Sequence, residues 1–140
     1  MNQLTMQQQG QGFCLASVGN LNGFEGKAFV KEVMNTTGME VSFGSLAPGQ
    51  AVPFNHRHKQ NEELYIVLQG EGVFTLDGQE FPVASGSLVK VEPAVSRCTS
   101  CTGKEPLVYI CIQAKEGSLE QYTMTDGISS GNGELSPKLL

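Results

Sequence analysis

Two histidines that lie two positions apart are the residues of this chain best suited to chemistry. His56 and His58 are the only histidines among 140 residues, and the acidic pair Glu62 and Glu63 follows closely. If the histidines lie on a β-strand, their side chains point to the same face, where a carboxylate from the next strand can join them. Such a set predicts a divalent metal site with open coordination positions. The alternative is that the histidines are polar surface residues and that the glutamates belong to a solvated turn.

The same segment resembles the first conserved motif of the cupin superfamily. That motif reads glycine, five residues, His-x-His, three or four residues, glutamate, six residues and glycine. His56, His58, Glu63 and Gly70 fit the motif, with one extra residue after the first glycine. The resemblance implies that His56, His58 and Glu63 hold a divalent ion such as iron, manganese, nickel or zinc. Glu62 also satisfies the looser His–Glu spacing, but its distance to Gly70 is wrong, so Glu63 is the preferred ligand.

The second cupin motif, which usually supplies a third histidine, is incomplete in this chain. Counting from Gly86 places Arg97 in the histidine position, whereas counting from Pro93 places Cys98 there. Arginine does not coordinate metals, but its guanidinium can bind the carboxylate or phosphate of a substrate through two parallel hydrogen bonds. It can equally pair with Glu63 and replace the metal. A Cys98 thiolate would instead favour zinc. The strand length after Gly86 favours Arg97, which we interpret as a residue that binds an acidic group.

Tyr65 is a second candidate for a catalytic role. It lies two residues after Glu63, on the same face of a predicted strand, and could transfer a proton. The alternative is that Tyr65 fills the barrel as an aromatic side chain whose hydroxyl is satisfied.

One Cys-x-x-Cys motif is present, from Cys98 to Cys101. A structural zinc site would need a second pair, and a thioredoxin-like site would need a βαβ context. We therefore interpret both residues as ordinary thiols.

Composition limits the classes of protein to which this chain can belong. Hydrophobic residues make up 39% and charged residues 16%, with 17 glycines and no tryptophan, which favours a turn-rich β protein over a helical bundle. The net charge of −5 argues against binding to nucleic acid or to a negatively charged membrane. No apolar run approaches the roughly 20 residues that span a bilayer, and the N-terminus lacks the features of a secretory signal. We therefore expect a cytoplasmic protein with reduced cysteines.

Short apolar segments recur every 8–12 residues or so, which is typical of a β-sandwich or barrel. The predicted strands are 27–34, 39–46, 52–58, 64–68, 73–76, 87–91 and 107–114. Asp77-Gly78, flanked by the segments FTL and QEF, predicts a two-residue type I′ hairpin turn. We expect a flexible N-terminus over residues 1–12, one barrel domain over 13–117, and a largely disordered C-terminal extension over 118–140.

Over about residues 40–115, the resemblance implies an all-β cupin-like double-stranded β-helix with a pocket inside the barrel, often dimeric. Apolar residues on both faces of segments 64–68 and 107–112 also favour a homodimer, because one face needs cover from outside the barrel. Cupins include dioxygenases, isomerases and sugar-binding proteins, so the fold alone names no reaction. We expect a metal-dependent cupin that binds or acts on a small acidic molecule. The alternatives are a non-catalytic binder or sensor that has lost metal-dependent activity, and a purely structural dimer.

Overall fold

Period-two alternation of apolar side chains folds this chain into antiparallel β-strands. The computed structural model describes residues 4–130. In chain order its elements are β1 (Thr5–Gln9), β2 (Cys14–Ser17), a 3-10 helix (Leu21–Gly23), β3 (Lys27–Phe29), α1 (Lys31–Met34), β4 (Glu40–Leu46), β5 (Asn61–Gln69), β6 (Glu71–Leu76), β7 (Gln79–Ala84), β8 (Leu88–Val91), β9 (Arg97–Cys101) and β10 (Leu107–Lys115). Within the described residues, no helix is long and apolar enough to cross a membrane. The predicted all-β class is confirmed.

The strands form three sheets. β1 and β2 pair with each other, and a five-stranded sheet has the order β3-β4-β10-β5-β8. A three-stranded sheet has the order β7-β6-β9. β10, the last strand of the described residues, lies between β4 and β5. The end of the barrel segment therefore lies beside the beginning of that segment. This crossover places residues that are far apart in the sequence around one interior.

The main core lies between the two larger sheets and draws residues from both. Its buried members are Leu46, Tyr65, Val67, Phe74, Val83, Val91, Cys101, Leu107, Tyr109 and Cys111. A second, smaller cluster of Phe24, Ala28 and Val108 packs with Val18, Phe43 and Leu68. Val108 and Tyr109 are adjacent on β10, so their side chains point to opposite faces of the five-stranded sheet. Because Tyr109 faces the main core, the second cluster covers part of the outer face of this sheet.

The hairpin between β6 and β7 turns at Asp77 and Gly78, as the sequence predicts. Their φ angles are 50° and 84°, and type I′ turns require positive φ at both central positions. Leu76 pairs with Gln79 across this turn. Gly78 adopts its conformation without strain, and the aspartate is one of the residues that tolerate positive φ.

Two predicted strands are wrong in part. Residues 52–58 form no strand, since only isolated bridges at Ala51 and His56 tie this segment to β9. Pro53 lacks a backbone N–H and therefore interrupts a continuous ladder. The predicted strand 27–34 ends at Phe29, and Lys31–Met34 form α1 instead. The residue that follows this helix, Asn35, takes the left-handed conformation that commonly ends a helix.

The N-terminal segment that was expected to be flexible contains β1, which pairs with β2. The Gln-rich sequence of β1 has little apolar surface to bury. Its hydrophobic pattern therefore does not predict that its backbone pairs with β2. Residues 118–130 contain no strand or helix. Residues 1–3 and 131–140 lie outside the described part of the chain. The division at residues 12 and 117 stays a prediction.

Candidate metal centre

His56 and His58 are held in place by backbone hydrogen bonds, although they do not lie on a regular strand. The His56 N–H donates to the Arg97 carbonyl over 3.1 Å, and the Arg97 N–H donates to the His56 carbonyl over 2.9 Å. The His58 N–H donates to the Pro93 carbonyl over 2.9 Å. The two imidazole rings lie 5.3 Å apart between centroids and are nearly perpendicular. The two imidazoles therefore converge because His56 is bridged to β9, and not because the histidines lie on a regular strand.

Glu63 on β5 completes the group. It is 3% exposed, and its carboxylate oxygen, together with one nitrogen of His56 and one of His58, forms a set whose atoms all lie within 4.8 Å of one another. Glu62 precedes it on the strand, so its side chain points to the opposite face and away from the histidines. Strand alternation thus gives Glu63, rather than its neighbour, the position beside the imidazoles.

The donor atoms of this group fit a divalent ion. His56 Nδ1 and His58 Nε2 are buried and have no hydrogen-bond partner among residues 4–130, a state that usually costs about 1–3 kcal/mol per polar group. His58 Nε2 lies 3.0 Å from Glu63 Oε2, yet the two atoms do not form a hydrogen bond of acceptable geometry. With metal–ligand bonds of about 2.1 Å, two ligands at right angles lie about 3.0 Å apart. The spacing therefore suits two ligands of one ion.

Arg97 reaches the same carboxylate from β9. Its side chain is 1% exposed, and Nη1 donates to Glu63 Oε1 over 2.6 Å. Nη2 donates to the carbonyls of Glu92, Pro93 and Val95, and Nε donates to that of Val95. One N–H of Nη1 is then left for a ligand, so Arg97 cannot bind a carboxylate or phosphate through two parallel hydrogen bonds. Of the alternatives for Arg97, pairing with Glu63 is the contact observed, and it leaves Glu63 Oε2 facing His58.

A family model described as the cupin domain matches residues 42–113, just over half of the 140 residues. The chain belongs to the cupin family. The crystal structure of a cupin protein from Bacteroides fragilis has 40% sequence identity and a TM-score of 0.73, and the match covers 76% of this chain and 90% of that one. The predicted double-stranded β-helix is confirmed.

Two curated relatives of this cupin match over shorter stretches. The oxalate-binding protein of Thermotoga maritima is 27% identical over 100 residues, which is 68% of this chain and 82% of that protein. An uncharacterized protein of Methanocaldococcus jannaschii is 34% identical over 56 residues, which is 40% of this chain. The match spans 45% of the M. jannaschii protein, less than half of its length.

Two further side chains of the cupin hold Glu63 in its charged form. Tyr65 donates its hydroxyl to Oε1 over 2.7 Å, and the Cys111 thiol donates to Oε2 over 3.3 Å. Burial by itself raises the pKa of Glu63, but the hydrogen bonds from Tyr65 and Arg97 outweigh burial, and the pKa lies below its ordinary value. Glu63 is therefore a carboxylate at neutral pH.

Tyr65 and Cys111 themselves stay protonated. Burial, followed by nearby negative charge, raises the pKa of Tyr65 far above its ordinary value. Burial and then the charge of Glu63 raise the pKa of Cys111 to about 12. Sequence reasoning missed Cys111, although its inward position on β10 was available as a signal. Its place opposite Tyr65 depends on the pairing of β10 with β5, which the sequence does not show.

His56 is suited to bind a metal through a neutral ring. Burial, as the largest cause, lowers the pKa of His56 below 6.5, so the imidazole is uncharged at neutral pH. Metal ions are bound by the neutral imidazole.

The two cysteines of the Cys-x-x-Cys motif do not act together. The Cys98 thiol donates to the Val52 carbonyl, whereas the Cys101 thiol donates to the Glu105 carbonyl. Both thiols are free, and Cys98 lines the cavity without belonging to the metal-ligating group. Residues three apart on a strand point to opposite faces, which explains why the motif forms no pair.

A cavity of about 290 Å³ opens beside the histidines and Glu63. Its wall includes the apolar rings of Phe29 and Phe54, of which Phe54 is 60% exposed. Phe54 lies beside His56, with ring centroids 5.9 Å apart. The volume is near the lower end for small-molecule sites and suits a compact ligand.

Proposed function

We propose that this cupin binds one divalent metal ion through His56, His58 and Glu63, and a small acidic organic molecule beside it. The observation that carries the proposal is a pair of buried imidazole nitrogens that lie next to a charged carboxylate and have no hydrogen-bond partner in the described part of the chain. When bound, the ion supplies Lewis-acid chemistry. The chain itself supplies the ligands, holds them in place and surrounds them with a partly closed cavity.

Arg97 and Tyr65 act in this proposal mainly by positioning Glu63. Both donate to Oε1, and they leave Oε2 directed towards His58. Such outer contacts fix the orientation and charge of a metal-binding carboxylate. Proton transfer through Tyr65 would require its hydroxyl to leave Glu63, so Tyr65 is assigned to positioning. Arg97 retains one N–H that can reach a ligand.

The charge of the site favours an anionic ligand. A divalent ion contributes two positive charges, Glu63 one negative charge and Arg97 one positive charge, which leaves a net charge of about +2. The related protein of T. maritima is named an oxalate-binding protein, and this name supports a small acid as the class of ligand. If the protein is a metal-dependent enzyme, dioxygenase or isomerase chemistry is the reaction type expected from the resemblance to cupins.

A second candidate function is metal-independent binding of a small molecule. It is favoured by the contact between Arg97 and Glu63, which places a cation within 2.6 Å of the carboxylate. In that case the ion pair takes the place of the metal, and the cavity serves recognition alone.

Calorimetry separates the two functions. Chelator-treated protein is titrated with zinc or manganese, and then with oxalate in the presence and absence of the ion. The proposal predicts one metal site per chain and oxalate binding that depends on the metal. Oxalate binding that is equal without metal would favour the second candidate, and binding of neither metal nor acid would contradict both.

We also propose that a second copy of this chain covers the outer face of the five-stranded sheet. Aligned side chains from four neighbouring strands leave this face apolar and partly exposed: Val41, Phe43, Leu64, Ile66, Leu88, Ile110 and Ile112. Leu88 is 64% exposed. A continuous apolar face of this kind is typical of an interface.

A further inference from the structure

One part of the cavity wall is rich in hydrogen-bond donors that the chain itself does not use. Ser42, Thr99 and Tyr109 line the cavity and are 5%, 4% and 5% exposed. Their hydroxyls make no side-chain hydrogen bond to another group among residues 4–130, and they belong to residues that face the cavity. Burial raises the pKa of Tyr109 to about 12, so its hydroxyl keeps a proton to donate. Three hydroxyls that line one cavity and are not used within the described chain can donate to a ligand that accepts hydrogen bonds.

Lys27 adds a positive charge to the same wall. Its side chain lines the cavity, and Nζ lies 5.6 Å from the centre of the Phe29 ring. Within the described chain, no carboxylate lies within ion-pair distance of Nζ. Glu63 is the acidic residue that lines this cavity, and it is already bound to Arg97 and Tyr65. The wall therefore offers an ammonium group that a ligand anion can neutralise.

Strand register places Lys27 and Tyr109 on either side of Gly44. Gly44 on β4 pairs with Lys27 on one side and with Tyr109 on the other. Gly44 has no side chain, and a Cβ built there would lie 2.7 Å from Tyr109 Cζ and 2.9 Å from its hydroxyl oxygen. The tyrosine ring thus lies over Gly44, which brings its hydroxyl towards the strand that carries Lys27. Ser42 lies two residues before Gly44 on the same face.

We infer that Lys27, Ser42 and Tyr109 form a subsite for a carboxylate of the ligand, separate from the metal ligands. An ammonium beside hydroxyl donors suits an oxygen anion, and charge-assisted hydrogen bonds are the strong ones. The ligand class is therefore a small dicarboxylic acid, with one carboxylate in this subsite and the other beside His56, His58 and Glu63. This inference rests on the proposed function, and it assigns the acid-binding role to Lys27 rather than to Arg97.

Titration of zinc-loaded protein with acetate, malonate and succinate at constant ionic strength tests this subsite. The wild type is expected to bind one of the two dicarboxylates at least tenfold more tightly than acetate. Lys27→Met removes the charge but keeps an apolar stem of similar length, and it should weaken dicarboxylate binding roughly tenfold or more. Lys27→Arg should retain most of the affinity. Tyr109→Phe keeps the ring over Gly44 and should cause a smaller loss.

Lys104→Met is the matched control, because Lys104 is exposed and does not line this cavity. Zinc stoichiometry and the melting temperature are measured for every variant and should equal those of the wild type. Dicarboxylate binding that is unchanged in Lys27→Met, with zinc bound normally, would overturn the subsite but not the proposed function. Failure of the wild type to bind zinc would instead contradict the proposed function itself. Zinc binding without dicarboxylate binding would overturn both the subsite and the acidic-ligand part of that function.

Discussion

Replacing Glu63 with glutamine should strongly destabilise the metal-free protein. Glu63 and Arg97 are 3% and 1% exposed and are joined over 2.6 Å, so solvent screens this ion pair little. Glutamine keeps the shape of the side chain but leaves a buried guanidinium without a counter-charge. Breaking a buried pair by removing one partner costs about 3–5 kcal/mol. For a domain of this size the melting temperature should fall by roughly 10–20 °C.

The assay is thermal unfolding of chelator-treated protein, followed by circular dichroism or calorimetry. Glu62→Gln is the matched control, because the adjacent glutamate points to the opposite face and is only half-buried. Its melting temperature should lie within a few degrees of that of the wild type, as for most surface substitutions. If both variants melt at the wild-type temperature, the ion pair does not stabilise the fold and the reasoning about Glu63 is refuted.

The same variant also tests a dependence on pH. The pKa of Glu63 is lowered in the folded state from its ordinary value of 4.5, so its stabilising contribution is present above that value. The contribution is lost as the pH falls through the folded-state pKa, because the carboxylate must then bind a proton. Acid unfolding of Glu63→Gln should therefore be less steep than that of the wild type below about pH 4.5.

Three further predictions concern the sheet face, one turn and one thiol. Light scattering should give about twice the 15.0 kDa chain mass, and Ile66→Lys on the outer face should give a monomer; a monomeric wild type would end the dimer proposal. Gly70→Ala should lower the melting temperature more than Gly49→Ala, because only the Cβ at position 70 meets the backbone oxygen of Pro106; equal losses would contradict this reasoning. Cys111, whose pKa is raised to about 12, should react with a thiol reagent only on unfolding, and rapid labelling of the native protein would show that it is accessible.

The elements that the sequence predicts well are those whose signals are local. β5 and β10 are long apolar runs between glycine and proline breaks, and the Asp77-Gly78 turn has a conformational requirement that few residues meet. The preference for Glu63 over Glu62 came from the distance to Gly70 in the cupin motif, and strand alternation sends the two side chains to opposite faces. These features follow from the backbone geometry of a few adjacent residues.

The remaining features of the site depend on which strands become neighbours. Cys111 meets Glu63 because β10 pairs with β5, and Lys27 joins the cavity because β3 pairs with β4. The sequence near those residues predicts neither of these strand pairings. Arg97 was found by counting along a motif, but its carbonyl partners around Pro93 became visible only with the folded loop. For this reason its donors were expected to be free for a substrate.

Elemental analysis of tag-free protein, purified without chelator and then reloaded with excess metal and desalted, tests whether His56, His58 and Glu63 bind a metal ion. We predict about one equivalent of a divalent ion such as zinc, manganese, iron or nickel per chain. A variant that carries both His56→Ala and His58→Ala should hold none while keeping the wild-type circular dichroism spectrum. A wild type that retains no ion after reloading, or a double variant that retains a full equivalent, would contradict the assignment of these residues as the metal site.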